Sequence, residues 1–336
     1  MSSWVRRAVL CAAAAAVTLA ALAAWMTCMP GRSRSRPLPP LSGSEAALRE
    51  SLREHVRVLA SEIGERNWTR YAALQRARRY IEDRLRRVGY RPDGQRFAFR
   101  GDAYYNVEAT LEGTAGHRRA LVLGAHYDSV VGSPGANDNA TGVAALLEIA
   151  RDLRRRTLPL TVRFVAFANE EPPFFNTREG MGSVEYVRRL GAGVRDLVGM
   201  ISLETIGYYR DEPGTQRYPP VVGWFYPGRG DFIAFVGNLR SRAFLRRVVR
   251  EFRARARFPS EALASPALVP GVSWSDHRSF WRAGVPAIMV TDTALFRDPE
   301  YHSETDTPAR LDYGRMARVV SGLAEAVAAL AGSRGS

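Results

Sequence analysis

Lysine is missing from the chain altogether, and cysteine nearly so: 336 residues hold two, Cys11 and Cys28. All 48 basic residues are therefore arginine, against 34 acidic ones, giving a net charge of +14. So one-sided a choice has the look of a coding bias. The arginines are strewn along helical patterns instead of gathered in one tract with aromatics between them, which argues against nucleic acid as a partner. No cysteine follows Cys28, so the body of the chain can hold neither a disulfide framework nor a thiolate metal site. No internal repeat is visible. What remains, 46% hydrophobic and 24% charged, is the composition of an ordinary globular protein long enough to bury a sizeable core.

Charge is also missing from one stretch. Ala8 to Met29 follows Arg6 and Arg7 and carries no charged residue, and as a helix of about 33 Å it could cross a bilayer. The expectation is an uncleaved membrane anchor (residues 1–30) with the body exported to the periplasm or cell exterior. The alternative is secretion after cleavage near Ala21–Ala23. Arg32, Arg34 and Arg36 beyond the span nearly balance the two arginines before it, so charge alone does not fix orientation. "GRSRSRPLPPLSG" (31–43) reads as a Pro/Ser/Arg linker, and 44–334 as one domain.

Ser44 is placed to cap a helix carrying Leu48, Leu52, Val56, Leu59 and Ile63. A second helical pattern ends at Gly89. Apolar or β-branched runs then suit strands: "FAF", "NVEATLEG", "RALVLGA", "LTVRFVAFA", "LVGMISLETIG" and "VPAIMVTD". Helical patterns lie between them, and a last helix runs from about Asp312 to Leu330. This alternation predicts an α/β three-layer sandwich, a largely parallel mixed sheet flanked by helices, with ligands at the carboxyl ends of the strands.

Polar residues cluster at those ends. "GAHYDSVVGSPGANDNATG" follows "RALVL" and brings His126, Asp128 and Asp138. "FANEEP" brings Glu170 and Glu171, Glu204 interrupts an apolar run, and His302 follows "VPAIMVTD". Singly each has a plain explanation, since an adjacent Glu-Glu pair is commonly a solvated helix start. Glu204 needs a partner if its strand is buried. Carboxylates packed this closely repel one another, and a divalent cation removes the conflict. Imidazole and carboxylate without thiolate suit catalytic zinc, and five ligands suffice for two ions sharing a bridging carboxylate.

In order along the chain, "GAHYDS", "GANDNATG", "FANEE", "GS" (Gly182, Ser183), "SDH" (275–277) and "YHSETDT" resemble one family. It is that of the zinc exopeptidases, which includes bacterial leucyl aminopeptidases, glutamate carboxypeptidase and glutaminyl cyclase. The resemblance spans about Tyr105 to Leu330. It implies that His126 and Glu204 bind one zinc, Glu171 and His302 a second, and Asp138 both. It further implies that Glu170 is the general base, that Asp128 orients the His126 imidazole, and that Tyr301 assists the oxyanion. Two departures stand out: Glu204 replaces the usual aspartate, and Val272 replaces a tyrosine of the leucyl aminopeptidases.

The resemblance implies hydrolysis by activated water, with Glu170 taking its proton and passing it to the leaving amine. An aminopeptidase acting on peptides with a free N-terminus, with two Zn2+ per chain, is the first reading. A single-zinc glutaminyl cyclase is the second, and a non-catalytic binding domain of the same fold the third. Oligomeric state is left open. The aromatic loop Tyr208–Phe232 is long enough to be a lid shaping the substrate pocket. Asp276 and His277 read as supporting groups, and His55 and His117 as merely exposed.

Overall fold

The computed structural model describes residues 3–34 and 37–332; Ser35 and Arg36 of the linker and residues 333–334 lie outside the described residues. Helix α1 (Ser3–Thr27) includes a 24-residue span, Trp4–Thr27, apolar enough to cross a membrane, and none of its described side chains is buried. A signal sequence meets the same criterion. The segment after it does not hang free. Arg242 Nε donates to Trp25 O (2.6 Å), Arg246 Nη1 to Cys28 O (2.6 Å), and Ser260 N–H to Ser33 Oγ (2.8 Å).

Two helices come next, α2 (Gly43–Arg57) and α3 (Tyr71–Arg87). The cap of α2 is Ser42, not Ser44. Its hydroxyl accepts from Glu45 N–H while the Glu45 carboxylate takes the Ser42 N–H, a reciprocal pair that two residues further on could not form. Strands β1 (Asp93–Phe99), β2 (Asp102–Leu111) and β3 (Ala120–His126) lead to α4 (Gly142–Leu153). Then follow β4 (Thr161–Phe167), α5 (Gly182–Leu190) and β5 (Leu197–Glu204). Strand β6 (Ile233–Asn238), α6 (Arg242–Arg255) and β7 (Ser260–Ser265) precede α7 (His277–Arg282), β8 (Ala287–Thr291) and α8 (Tyr313–Gly332).

The eight strands form one sheet in the order β1-β2-β4-β3-β5-β8-β6-β7. The central four are mutually parallel, which explains their continuous apolar runs: both faces are covered. Antiparallel pairings lie outside them, at β1–β2, β2–β4 and β6–β8. Residues of α2, α3, α4, α6 and α8 share the large core with one face of the sheet. A smaller core on the other face joins Val122, Val165, Phe167 and Met200 to Tyr186 of α5 and Phe280 of α7. Helices on both faces make three layers, as the alternation predicted.

Sequence reading had no strand at β6 or β7. "SEALAS" lacks the β-branched and aromatic residues that mark strands, and it is held by its pairing with β6 alone.

Candidate active site

All the candidate residues lie at or beyond the carboxyl ends of the central strands. His126 ends β3 and Glu204 ends β5. Glu170 and Glu171 sit three and four residues past β4, where Asn169 takes a positive φ of 57°. Asp138 lies in the turn before α4, and His302 in the loop after β8 at φ 63°. Non-glycine residues rarely adopt such φ, and two of the site's loops require it.

The side chains converge. Asp138 Oδ1 lies 3.1 Å from His126 Nε2, and its Oδ2 lies 3.0 Å from His302 Nε2. His126 Nε2 is 3.3 Å from Glu204 Oε2, and His302 Nε2 is 3.3 Å from Glu171 Oε2. One carboxylate thus stands between two imidazoles, each of which faces one further glutamate. Both Asp138 oxygens and Glu171 Oε1 are buried without a hydrogen-bond donor. Buried polar atoms are rarely left so, and three in one cluster call for a ligand. Candidate ligand atoms of His126, Asp138 and Glu171 lie within 4.8 Å of one another, close enough to share one ion.

The surrounding bonds explain how the cluster is held. Asp128 lies 3.4 Å from His126 Nδ1 and accepts the N–H groups of Glu170 and Glu171, both at 3.1 Å, tying the β3 loop to the β4 loop. Glu204 has the reach its extra methylene gives, and Ser275 Oγ donates to its Oε2 at 2.7 Å. Gly142 admits no side chain: a Cβ there would fall 2.3 Å from Asn139 Oδ1 and 2.6 Å from Leu203 O.

Burial pushes the Glu170 carboxyl well above its usual range. His126 opposes the shift, and the charges of Glu171 and Glu204 add to it. Glu171 is pushed up to about 8 by burial and by Asp138 beside it. Burial works against the charge of His302, yet the Asp138 and Glu171 carboxylates beside it raise it to about 10. The cluster without a cation therefore holds protons it would release on binding one.

Two groups that support the cluster escaped sequence reading. Asp306 accepts the N–H groups of Asn137 (2.8 Å) and Asp138 (3.1 Å), fixing the turn that carries Asp138. It stands inside the quoted "YHSETDT", but nothing in that pattern separates it from Glu304. Arg66, fully buried, donates to Tyr127 O (2.7 Å), Pro134 O (2.6 Å) and Gly135 O (2.8 Å), clamping the loops of His126 and Asp138. Among so many arginines it carries no distinguishing signal.

His55 is not exposed, as expected from sequence, but buried: it pairs with Tyr80 Oη (2.7 Å) and Glu148 Oε1 (3.0 Å) between α2, α3 and α4. His117 is exposed. His277 is buried with Nε2 donating to Val272 O (2.9 Å), which places it outside the cluster. Asp276 is buried with neither carboxylate oxygen hydrogen-bonded, and burial pushes it up to about 7. Tyr301 stacks on His302, ring centroids 3.9 Å apart.

A cleft opens beside the cluster and shares Glu204 and Tyr301 with it. The loop after β5 supplies one wall of this cleft through Tyr218, Val222 and Tyr226.

Buried carboxylates and imidazoles converging at the carboxyl edge of a helix-flanked mixed sheet define a hydrolase of the metal-dependent kind. Residues 106–327 match the model of Peptidase family M28. Uncharacterized protein YfbL of Escherichia coli K12 is 39% identical over 283 residues, 82% of this chain and 86% of its own. The fold is shared with BSAP, a zinc aminopeptidase from Bacillus subtilis: TM-score 0.68 and 16% identity over 90% of this chain and 98% of that one. It is shared also with the glutaminyl cyclase of Tannerella forsythia: TM-score 0.61 and 18% identity over 85% of this chain and 99% of that one. The chain belongs to peptidase family M28 and is a metallopeptidase.

Proposed function

We propose that the protein is a zinc aminopeptidase whose body is carried on a membrane anchor, with two ions bound at the cluster. One observation carries this reading. The Asp138 carboxylate has its two oxygens 3.1 and 3.0 Å from separate imidazoles and no hydrogen-bond donor on either. That is the disposition of a bridge. His126 and Glu204 would hold one ion, and Glu171 and His302 the other. When bound, zinc supplies Lewis acidity toward the scissile carbonyl and toward water.

The remaining steps belong to the chain's own groups. Glu170 accepts the proton of the attacking water at a carboxylate oxygen and later gives it to the leaving amine. Burial and neighbouring charge favour its protonated form between the two transfers. Asp128 holds the proton on His126 Nδ1, leaving Nε2 as the ligating atom. Tyr301, its hydroxyl kept protonated by burial, donates toward the carbonyl oxygen as charge develops there. The cleft beside Glu204 receives the side chain of the N-terminal residue. α1 anchors the body, exported, at the membrane surface.

Zinc analysis together with aminoacyl-nitroanilide assays tests this reading. Two zinc ions per chain and cleavage that N-acetylation of the substrate abolishes are expected. A single zinc with cyclisation of glutaminyl substrates would move the protein to the cyclase reading.

A further inference from the structure

The cleft is lined mostly by apolar groups, and Glu261 stands at its far end, away from Glu204. Glu204 pairs with Thr291 across β5–β8, Thr291 with Ala234 across β8–β6, and Ala234 with Glu261 across β6–β7. Residues paired in register point to the same face of a sheet, and all four of these line the cleft. Glu261 therefore lies three strand spacings from Glu204, about 14 Å along the cleft floor. Between the two glutamates the floor carries Ala234, Val236 and Met289, with one hydroxyl, that of Thr291, engaged with Thr205 Oγ1 and the Thr293 N–H.

Glu261 is half-buried, and among the described residues its carboxylate has no hydrogen bond or ion pair. Arg253 influences it through space, but that guanidinium is directed to Ser260 Oγ and O and to the carbonyls of Pro30 and Gly31. Asp231 adds further negative charge nearby. Burial raises the Glu261 carboxyl above its ordinary value, as expected of an acid without a partner. Tyr218 and Tyr226 line the same end of the cleft with rings stacked 6.0 Å apart, their hydroxyls turned away onto Pro227 O and Ala262 O. Arg217, the basic residue along the wall, directs Nη2 to Leu295 O.

An apolar floor ending in an unpaired carboxylate beside two aromatic faces suits one kind of side chain: a long aliphatic stem with a cation at its tip. Resting on the aminopeptidase reading above, we infer that Glu261 selects substrates whose N-terminal residue is lysine or arginine. The stem lies along the floor, and the ammonium or guanidinium meets Glu261 between the tyrosine rings. The site sets which residue is removed and takes no part in the chemistry.

The test uses the zinc-loaded full chain in detergent with lysyl, arginyl and norleucyl nitroanilides, norleucine being the uncharged match for the lysine stem. The basic substrates should exceed norleucyl in kcat/KM by about tenfold, as a partly screened ion pair aided by aromatic faces allows. Glu261→Gln should erase that ratio, chiefly through KM, and Glu261→Asp should retain part of it. A separate measurement needs no variant: lysinamide should inhibit leucyl-nitroanilide cleavage about tenfold more tightly than norleucinamide. Norleucyl turnover equal to lysyl, with equal inhibition by the two amides, overturns the role of Glu261 and leaves the aminopeptidase reading standing. Failure to cleave any aminoacyl substrate overturns both.

Discussion

Two histidines, each in contact with a residue of the cleft wall, are driven in opposite directions. His302, beside Asp138 and Glu171, is raised to about 10, whereas His277, buried behind Val272 with a backbone carbonyl as its partner, is lowered to about 4. Each marks its surroundings. Over β3, β4 and β5 the strand ends carry more negative charge than buried protein can hold, and the loops keep it there. Over β6, β7 and β8 the sheet face is largely apolar, with Glu261 at its far end. The difference teaches how the work divides. On the proposed reading, the first region is built around a cation that neutralises it, and the second receives a substrate's side chain.

The comparison breaks most completely if the cation does not belong to the first region. Asp138→Ala should weaken zinc binding by more than about a hundredfold, beyond the 10–100-fold typical of groups one step further out. Peptidase activity should go with it, as titration with a zinc-responsive dye and parallel assays would show. Zinc binding as tight as wild type would remove Asp138 from the bridge.

Glu170→Gln should keep the zinc yet lower kcat by about 10²–10⁴. Equal turnover in a zinc-replete variant would remove the general base from the account.

The apolar region is sharpened by filling it. Val236→Trp on the floor should cost large N-terminal residues about 10- to 100-fold in kcat/KM, the equivalent of about 1–3 kcal/mol, and cost an alanyl substrate far less. A uniform loss across substrates, measured on a nitroanilide series, would mean that the floor is not the side-chain pocket.

The smallest effect is one of stability. The folded state holds His277 at about 4 against 6.5 for the free side chain, so the unfolded chain binds the extra proton between those values. Stability therefore falls as pH drops from about 6.5 to about 4, by roughly 3 kcal/mol at about 1.36 kcal/mol per pKa unit. His277→Gln should flatten that part of the pH–Tm curve, and parallel curves would contradict the assignment.

The central strands were legible because parallel strands buried on both faces must be written as long apolar runs. Their ends were legible because His126, Glu170, Glu171 and Glu204 interrupt those runs with groups that a core does not tolerate alone. The structure brings these together with Asp138 and His302. What stayed hidden depends on tertiary contact rather than local pattern. "SEALAS" becomes β7 only through β6, and its Glu261 has no meaning until register places it opposite Ala234. Arg66 and Asp306 act by bonding backbone groups distant in sequence, which leaves no periodicity to read. His55 looked like a surface residue because its partners, Tyr80 and Glu148, lie on other helices.

The most direct measurement is anomalous diffraction at the zinc edge from crystals grown with zinc. The account predicts two peaks flanking the Asp138 carboxylate, one about 2.0–2.1 Å from His126 Nε2 and the other equally close to His302 Nε2. Well-ordered crystals with no peak between those imidazoles would contradict it.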